Sequence, residues 1–222
     1  MNIKKYLPVI LILLFLTAVN CGKKEYSIDS KSSEIKDVKE NSDKKELSSK
    51  DYLGTGKSLT FDKVDYNLTW TSHPSDNLYM QEYISENDSI EKFKKLVLLQ
   101  VVTGNIKLKE VVDVKVSELK KMKEIDPMVN YELFEKNGEI MLDFLLSNNL
   151  PDSNEPELIE RNVYRYKSFK DEEGKDGLIL FGVSERAYGN DIDKFLIDLK
   201  AHRFDVPNAV GSFNIPEIKI SK

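Results

Sequence analysis

The sequence predicts an α+β domain, in which an antiparallel β-sheet carries two main helices packed on it as a layer. The sheet is predicted because several segments alternate apolar and polar residues, which is the period of a half-buried strand. Asn137-Gly138 stands between two such segments, and this pair favours a tight hairpin turn because both residues accept a positive φ angle. The helices are predicted because residues 107–125 and 191–202 repeat their apolar residues at the helical period.

The predicted elements follow one another in a simple order. Four strands precede the long helix 107–125, which ends where Pro127 disfavours helical geometry in the residue before it. Two hairpins and the helix 191–202 follow, and the chain after Pro207 is expected to form a packed, irregular tail. The predicted strands cover residues 59–64, 67–71, 78–84, 96–102, 129–134, 140–146, 162–169 and 178–187.

The order of these elements and four short patterns resemble the PsbP-like fold of the photosystem II extrinsic proteins and their bacterial relatives. The patterns are Tyr-Glu-Leu-Phe at 131–134, Gly-Glu-Ile at 138–140, Leu-Asp-Phe at 142–144 and Gly-Leu-Ile-Leu-Phe-Gly at 177–182. The resemblance covers most of residues 58–204. Because that fold mostly serves protein–protein or accessory binding, the resemblance implies a binding domain rather than an enzyme.

The first 21 residues resemble the signal peptide and lipobox of a bacterial lipoprotein. Two lysines precede the apolar run 7–16, which is shorter than the roughly 20 residues that cross a bilayer. The chain's only cysteine, Cys21, directly follows Leu-Thr-Ala-Val-Asn at 16–20. The resemblance implies cleavage before Cys21, acylation of Cys21 and a membrane anchor, and Gly22 in place of Asp implies the outer membrane. An ordinary secretory signal with a chance cysteine is the alternative.

The lipoprotein resemblance and the composition together divide the chain into an implied signal peptide (1–20), an implied lipidated cysteine with a disordered tether (21–50) and a single globular domain (51–222). The tether is predicted because Lys, Glu, Asp and Ser dominate it and too few apolar residues remain to form a core.

The chain has a net charge of −5, and residues 1–50 hold three more lysines than acidic residues, so the domain carries −8. An acidic domain is a poor partner for nucleic acid, because phosphate contacts supply most of that affinity.

No motif in the domain predicts a catalytic, metal or cofactor site. Residues 54–58, Gly-Thr-Gly-Lys-Ser, lack the first glycine of a phosphate-binding loop, so no nucleotide is expected. A zinc site of the usual kind needs more ligands than the two histidines of this chain supply. The sequence therefore predicts no cofactor.

The polar run 184–191, at a predicted strand-to-helix junction, is the candidate binding site. Glu185, Arg186 and Tyr188 have no evident capping or core role there, and such junctions often carry binding groups. A buried ion pair of Arg186 is the competing interpretation. Asp143 is expected to pair across strands with Arg165 or Arg186.

These features together predict an envelope lipoprotein whose domain binds another envelope protein or a ligand without doing chemistry. Two alternatives stay open. One is an envelope hydrolase that uses carboxylates, with Glu185 among the candidates. The other is an immunity-type or structural lipoprotein that blocks one partner.

Overall fold

Eight antiparallel strands form one open sheet in the computed structural model, which describes residues 49–149, 155–171 and 173–221. Their order across the sheet is β1-β2-β3-β4-β8-β7-β6-β5. Strands β1–β4 and strands β5–β8 thus each form an antiparallel meander, and the two meanders pair through β4 and β8. The predicted signal peptide 1–20, the lipidated Cys21 and residues 22–48 of the predicted tether lie outside the described residues. The strands are β1 Ser58–Phe61, β2 Val64–Ser75, β3 Leu78–Ile84, β4 Lys95–Thr103, β5 Asn130–Lys136, β6 Glu139–Asn149, β7 Pro156–Lys170 and β8 Asp176–Tyr188.

Three α-helices lie among the described residues: α1 (Leu108–Ile125), α2 (Ile192–Ala201) and α3 (Asp205–Ser212). The irregular tail that the sequence predicts after Pro207 is wrong, because Pro207 lies in the first turn of α3. Proline is tolerated in the first turn of a helix, because its missing N–H has no partner there in any case. Within the residues that the structure describes, no helix has the length and apolar character needed to cross a membrane.

The predicted fold class is wrong. Strands hold 47% of the described residues and helices 23%, so the domain is mainly sheet and not an α+β layer carrying two helices in the PsbP-like manner. The difference arises from strand length and pairing. The strands β7 and β8 run for 15 and 13 residues. They take in segments that the sequence predicts as loops, and every strand joins the same sheet.

The two faces of the sheet are covered differently. On one face, called the α3 face, Phe181 and Val183 pack with Val210 of α3, and Phe213 stacks on Phe181 with 4.4 Å between ring centroids. On the other, the α1 face, the ammonium of Lys115 lies 5.1 Å from the centre of the Phe144 ring. Successive residues of a strand point to opposite faces, so the central strands β4, β7 and β8, which are buried along most of their length, contribute to both cores.

The hairpin predicted at Asn137-Gly138 is confirmed. It joins β5 to β6, and the two residues have φ angles of 54° and 78°. We expect Gly138→Val to lower the free energy of unfolding by about 1 kcal/mol or more, because a β-branched residue is strained at positive φ. Thermal melts measure this loss.

The matched control for this prediction is Gly211→Val. A Cβ atom added at Gly138 or at Gly211 meets nothing within 4 Å, but Gly211 lies in α3 at an ordinary helical φ. The control should therefore leave stability nearly unchanged. Equal melting temperatures for the two variants would contradict the assignment of strain to the turn.

Candidate functional site

The three predicted binding residues do not form one group. The strand β8 continues to Tyr188, so the predicted strand-to-helix junction is itself strand. Neighbouring side chains of a strand alternate between faces. Glu185 accordingly lies on the α3 face, whereas Arg186 and Tyr188 lie on the α1 face.

Glu185 belongs to a row of charges that crosses four strands on the α3 face. Its carboxylate lies 3.1 Å from the ammonium of Lys95 and 3.7 Å from the guanidinium of Arg161. Arg161 in turn donates two hydrogen bonds to Asp143, at 3.0 and 2.7 Å. This charge row (Lys95, Glu185, Arg161 and Asp143) gives Glu185 two structural partners.

The expected pairing of Asp143 with Arg165 or Arg186 is wrong. Asp143 stands opposite Val163, so the arginines two residues away on either side share its face. Arg161 forms the ion pair with Asp143, while Arg165 donates a hydrogen bond to Glu139 at 2.6 Å.

Arg186 is part of a second, largely buried group on the α1 face, called here the inner network. It forms an ion pair with Glu160, which also accepts a hydrogen bond from Asn162 at 2.9 Å. The hydroxyl of Ser184 donates to Asn162 at 2.6 Å and completes the network. The guanidinium of Arg186 also lies 4.1 Å from the centre of the Phe93 ring.

Tyr188 is held at the same end of the sheet. Its hydroxyl donates a hydrogen bond to the backbone carbonyl of Phe93 at 3.1 Å, and the ammonium of Lys92 lies 5.5 Å from its ring centre. Each of the three predicted residues thus has a structural role that the sequence did not reveal. Their role in binding stays a prediction.

Glu82 on β3 is a titratable group that the sequence analysis missed. Burial raises the pKa of its carboxyl from 4.5 to about 7, and the charge of Glu160 adds to this, although Arg186 opposes it. On its face of the strand it stands between Met80 and Ile84, which are buried. A carboxylate that interrupts an apolar strand face is the signal that would have found it.

The open cavities at the surface of the described residues include two of different size. The larger, the hairpin groove, has a volume of about 800 Å³ and runs between the β5–β6 hairpin and α3. The smaller, the rim cavity, has a volume of about 470 Å³ at one end of the sheet. The groove is lined by residues 134–137, 139–141, 165, 207, 208, 211 and 212. The rim cavity is lined by His73, Asp76, Tyr79, Thr103, Asp171, Glu173, Lys175 and Ile220.

The hairpin groove has a rigid, charged floor. Arg165 donates hydrogen bonds to the carbonyls of Val210 and Phe213, at 3.1 and 2.8 Å, and so fixes the end of α3 to the sheet. Burial by itself would raise the pKa of Glu139. The hydrogen bond and charge of Arg165, with those of Lys167, outweigh it and lower that pKa. Glu139 is therefore a fixed anion at neutral pH.

The rim cavity is built around stacked rings. The imidazole of His73 lies parallel to the ring of Tyr79 with 4.2 Å between centroids, and its Nδ1 lies 3.0 Å from the carbonyl oxygen of Leu78. Lys175, which also lines this cavity, pairs with Glu173 at 2.7 Å. Several polar side chains of the rim cavity are thus already bonded within the protein.

The carboxyl of Glu82 lies outside both the hairpin groove and the rim cavity. Glu82 could exchange a proton near neutral pH, but it lines neither the hairpin groove nor the rim cavity. Across the described ranges, no three His, Cys, Asp or Glu residues are grouped so as to hold a metal ion.

The fold defines a mainly β domain built on one open antiparallel sheet. A protein-family model matches residues 53–215, and the chain belongs to that family. No curated protein matches the sequence. The family match runs from before β1 to just beyond α3, so the hairpin groove lies within the shared domain.

Proposed function

We propose that this chain is a lipid-anchored protein of the bacterial envelope whose folded domain binds a protein partner or ligand without doing chemistry. The anchor is supported by the apolar run 7–16 and the sole cysteine directly after the lipobox-like residues 16–20. The binding role rests above all on the hairpin groove, whose volume of about 800 Å³ falls within the range of known ligand pockets.

Three features of the groove support binding rather than catalysis. Its apolar lining includes Phe134, Met141 and Pro207, which offer surface that a partner can bury. Its charged floor is fixed before any partner arrives, which lowers the entropy lost on binding. Its carboxylate Glu139 is held as an anion and is therefore not suited to donate a proton at neutral pH.

Gly211 provides the test of the groove. A Cβ atom added there meets nothing within 4 Å, and Gly211 is one of the residues that line the groove. We expect Gly211→Trp to abolish the capture of envelope proteins or ligands by the immobilised domain while its melting temperature stays the same. The control, Lys120→Trp, places the same ring on the exposed side of α1 and should retain capture. Equal capture by both variants would exclude the groove as the binding site.

The anchor has its own test. We expect Cys21→Ala to abolish fatty-acid labelling of the protein and to leave it soluble or as an uncleaved precursor. Asn20→Ala is the matched control, because alanine is usual before a lipidated cysteine, and it should retain the label. Fatty-acid labelling that persists in Cys21→Ala, measured by metabolic incorporation, would rule out this anchor.

A further inference from the structure

Among the described residues, β1 and β5 are the edge strands of the sheet, and the two edges differ in their capacity to pair. The strand β1 has 4 residues. The strand β5 has 7 residues, and its register with β6 runs from Asn130 to Lys136 without a bulge. It also contains no proline. A long, regular edge strand is a template for pairing with another strand.

The sequence of β5 favours pairing with itself. An antiparallel pair of identical strands has a two-fold axis, and its registers differ in the residue that stands on the axis. Registers centred on Glu132 or Glu135 place two carboxylates directly opposite each other, which is destabilising. A register centred on Leu133 places no positively charged residue opposite a negatively charged one.

The register centred on Phe134 is the one with charge complementarity. It places Glu132 opposite the partner's Lys136 and, by symmetry, Lys136 opposite the partner's Glu132. It also places Phe134 opposite the partner's Phe134, and aromatic cross-strand pairs stabilise a sheet. Glu132 and Lys136 are exposed in the single chain, where the carboxylate of Glu132 forms a surface ion pair with Arg203. Because that pair is itself exposed, the contact with the partner's Lys136 can add to it or replace it.

We propose that two copies of this chain pair through their β5 strands, antiparallel and centred on Phe134, to form one continuous sixteen-stranded sheet. The two-fold axis stands perpendicular to the sheet, so the α3 faces of both copies lie on the same side. Phe134 and Lys136 line the hairpin groove, and the partner's Phe134 and Glu132 then stand beside them. The two grooves meet at the seam and form one binding surface.

The first test uses introduced cysteines in the full-length Cys21→Ser chain, purified in detergent. This background has no other cysteine, so a single substitution gives a single thiol. Directly opposed residues of an antiparallel pair have Cα atoms about 4.5–5.5 Å apart, which a disulfide can span. We expect Phe134→Cys to form a disulfide dimer under copper–phenanthroline and air faster than Tyr131→Cys or Leu133→Cys. Fastest cross-linking at Leu133, or equal rates at all three positions, would overturn the proposal.

The second test keeps Phe134 in place and measures mass by sedimentation velocity in the same background. We expect twice the mass of one chain, and the mass of one chain for Lys136→Glu, which sets carboxylates opposite each other. Exchanging the charges, with Glu132→Lys and Lys136→Glu together, should restore the doubled mass. A single-chain mass for the Cys21→Ser protein at every concentration, or a doubled mass for Lys136→Glu, would overturn the proposal. Neither test involves lipid or ligand, so their outcome does not depend on the proposed function.

Discussion

Replacing Arg186 by alanine is expected to lower the free energy of unfolding by about 3–5 kcal/mol, the cost of leaving a buried charge without its partner. Glu160 is 6% exposed and would keep its negative charge among the residues of the inner network. The variant also loses the guanidinium that lies 4.1 Å from the Phe93 ring centre. Chemical denaturation of the variant and the unaltered chain measures the difference.

Two further variants separate this buried pair from an ordinary surface pair. Lys170 and Asp176 are 2.6 Å apart, but their side chains are 67% and 59% exposed. Lys170→Ala should therefore cost at most about 1 kcal/mol. Replacing both buried partners, with Arg186→Met and Glu160→Gln, should recover part of the stability lost in Arg186→Ala. An unchanged denaturation midpoint in Arg186→Ala would show that the pair is dispensable and would favour the predicted binding role.

Replacing Glu82 by glutamine is expected to stabilise the domain at pH 8 and to remove part of its pH dependence. The pKa of Glu82 is about 7 in the folded chain against 4.5 ordinarily, so the folded state binds the proton more tightly. The contribution of Glu82 to stability is therefore greatest below pH 4.5 and is lost as the pH rises through about 7. Glutamine resembles the protonated acid and does not ionise. At pH 8 the gain should be on the order of 1–3 kcal/mol, since partial exposure of the side chain reduces the full effect.

Denaturation curves of Glu82→Gln and the unaltered chain between pH 4 and pH 8 measure this gain. The exposed Glu86, two residues after the end of β3, supplies the control. Glu86→Gln should follow the pH dependence of the unaltered chain. If Glu82→Gln were no more stable than the unaltered chain at pH 8, the carboxyl of Glu82 would not be desolvated as described.

Local features of the fold were predictable where neighbouring residues determine them. Asn137-Gly138 specified its turn, and the apolar period of residues 107–125 located α1 to within one residue. The fold class was not predictable in this way, because it depends on which distant strands pair. The pairing of β4 with β8 leaves no local pattern, since the apolar runs 96–102 and 178–183 indicate burial of each strand but not its partner.

The candidate site depended on distant partners in the same way. Glu185, Arg186 and Tyr188 looked free of structural roles because their partners lie far away along the chain. Glu160 and Phe93 complete the contacts of Arg186, and Arg161 and Lys95 those of Glu185. The hairpin groove escaped prediction for the same reason, since it forms only where α3 packs beside β5 and β6.

The pairing of β4 with β8 also has a consequence for how the chain folds. The strands β1 to β4 pair in sequence order, as do β5 to β8, so each half can assemble from contacts between chain neighbours. The contact between the halves closes a long loop, which slows folding. Until β8 is available, β4 is an unpaired sheet edge whose central residues Leu96–Val102 are all buried in the finished domain. During synthesis this apolar edge is exposed to aggregation until β8, the last strand, pairs with it.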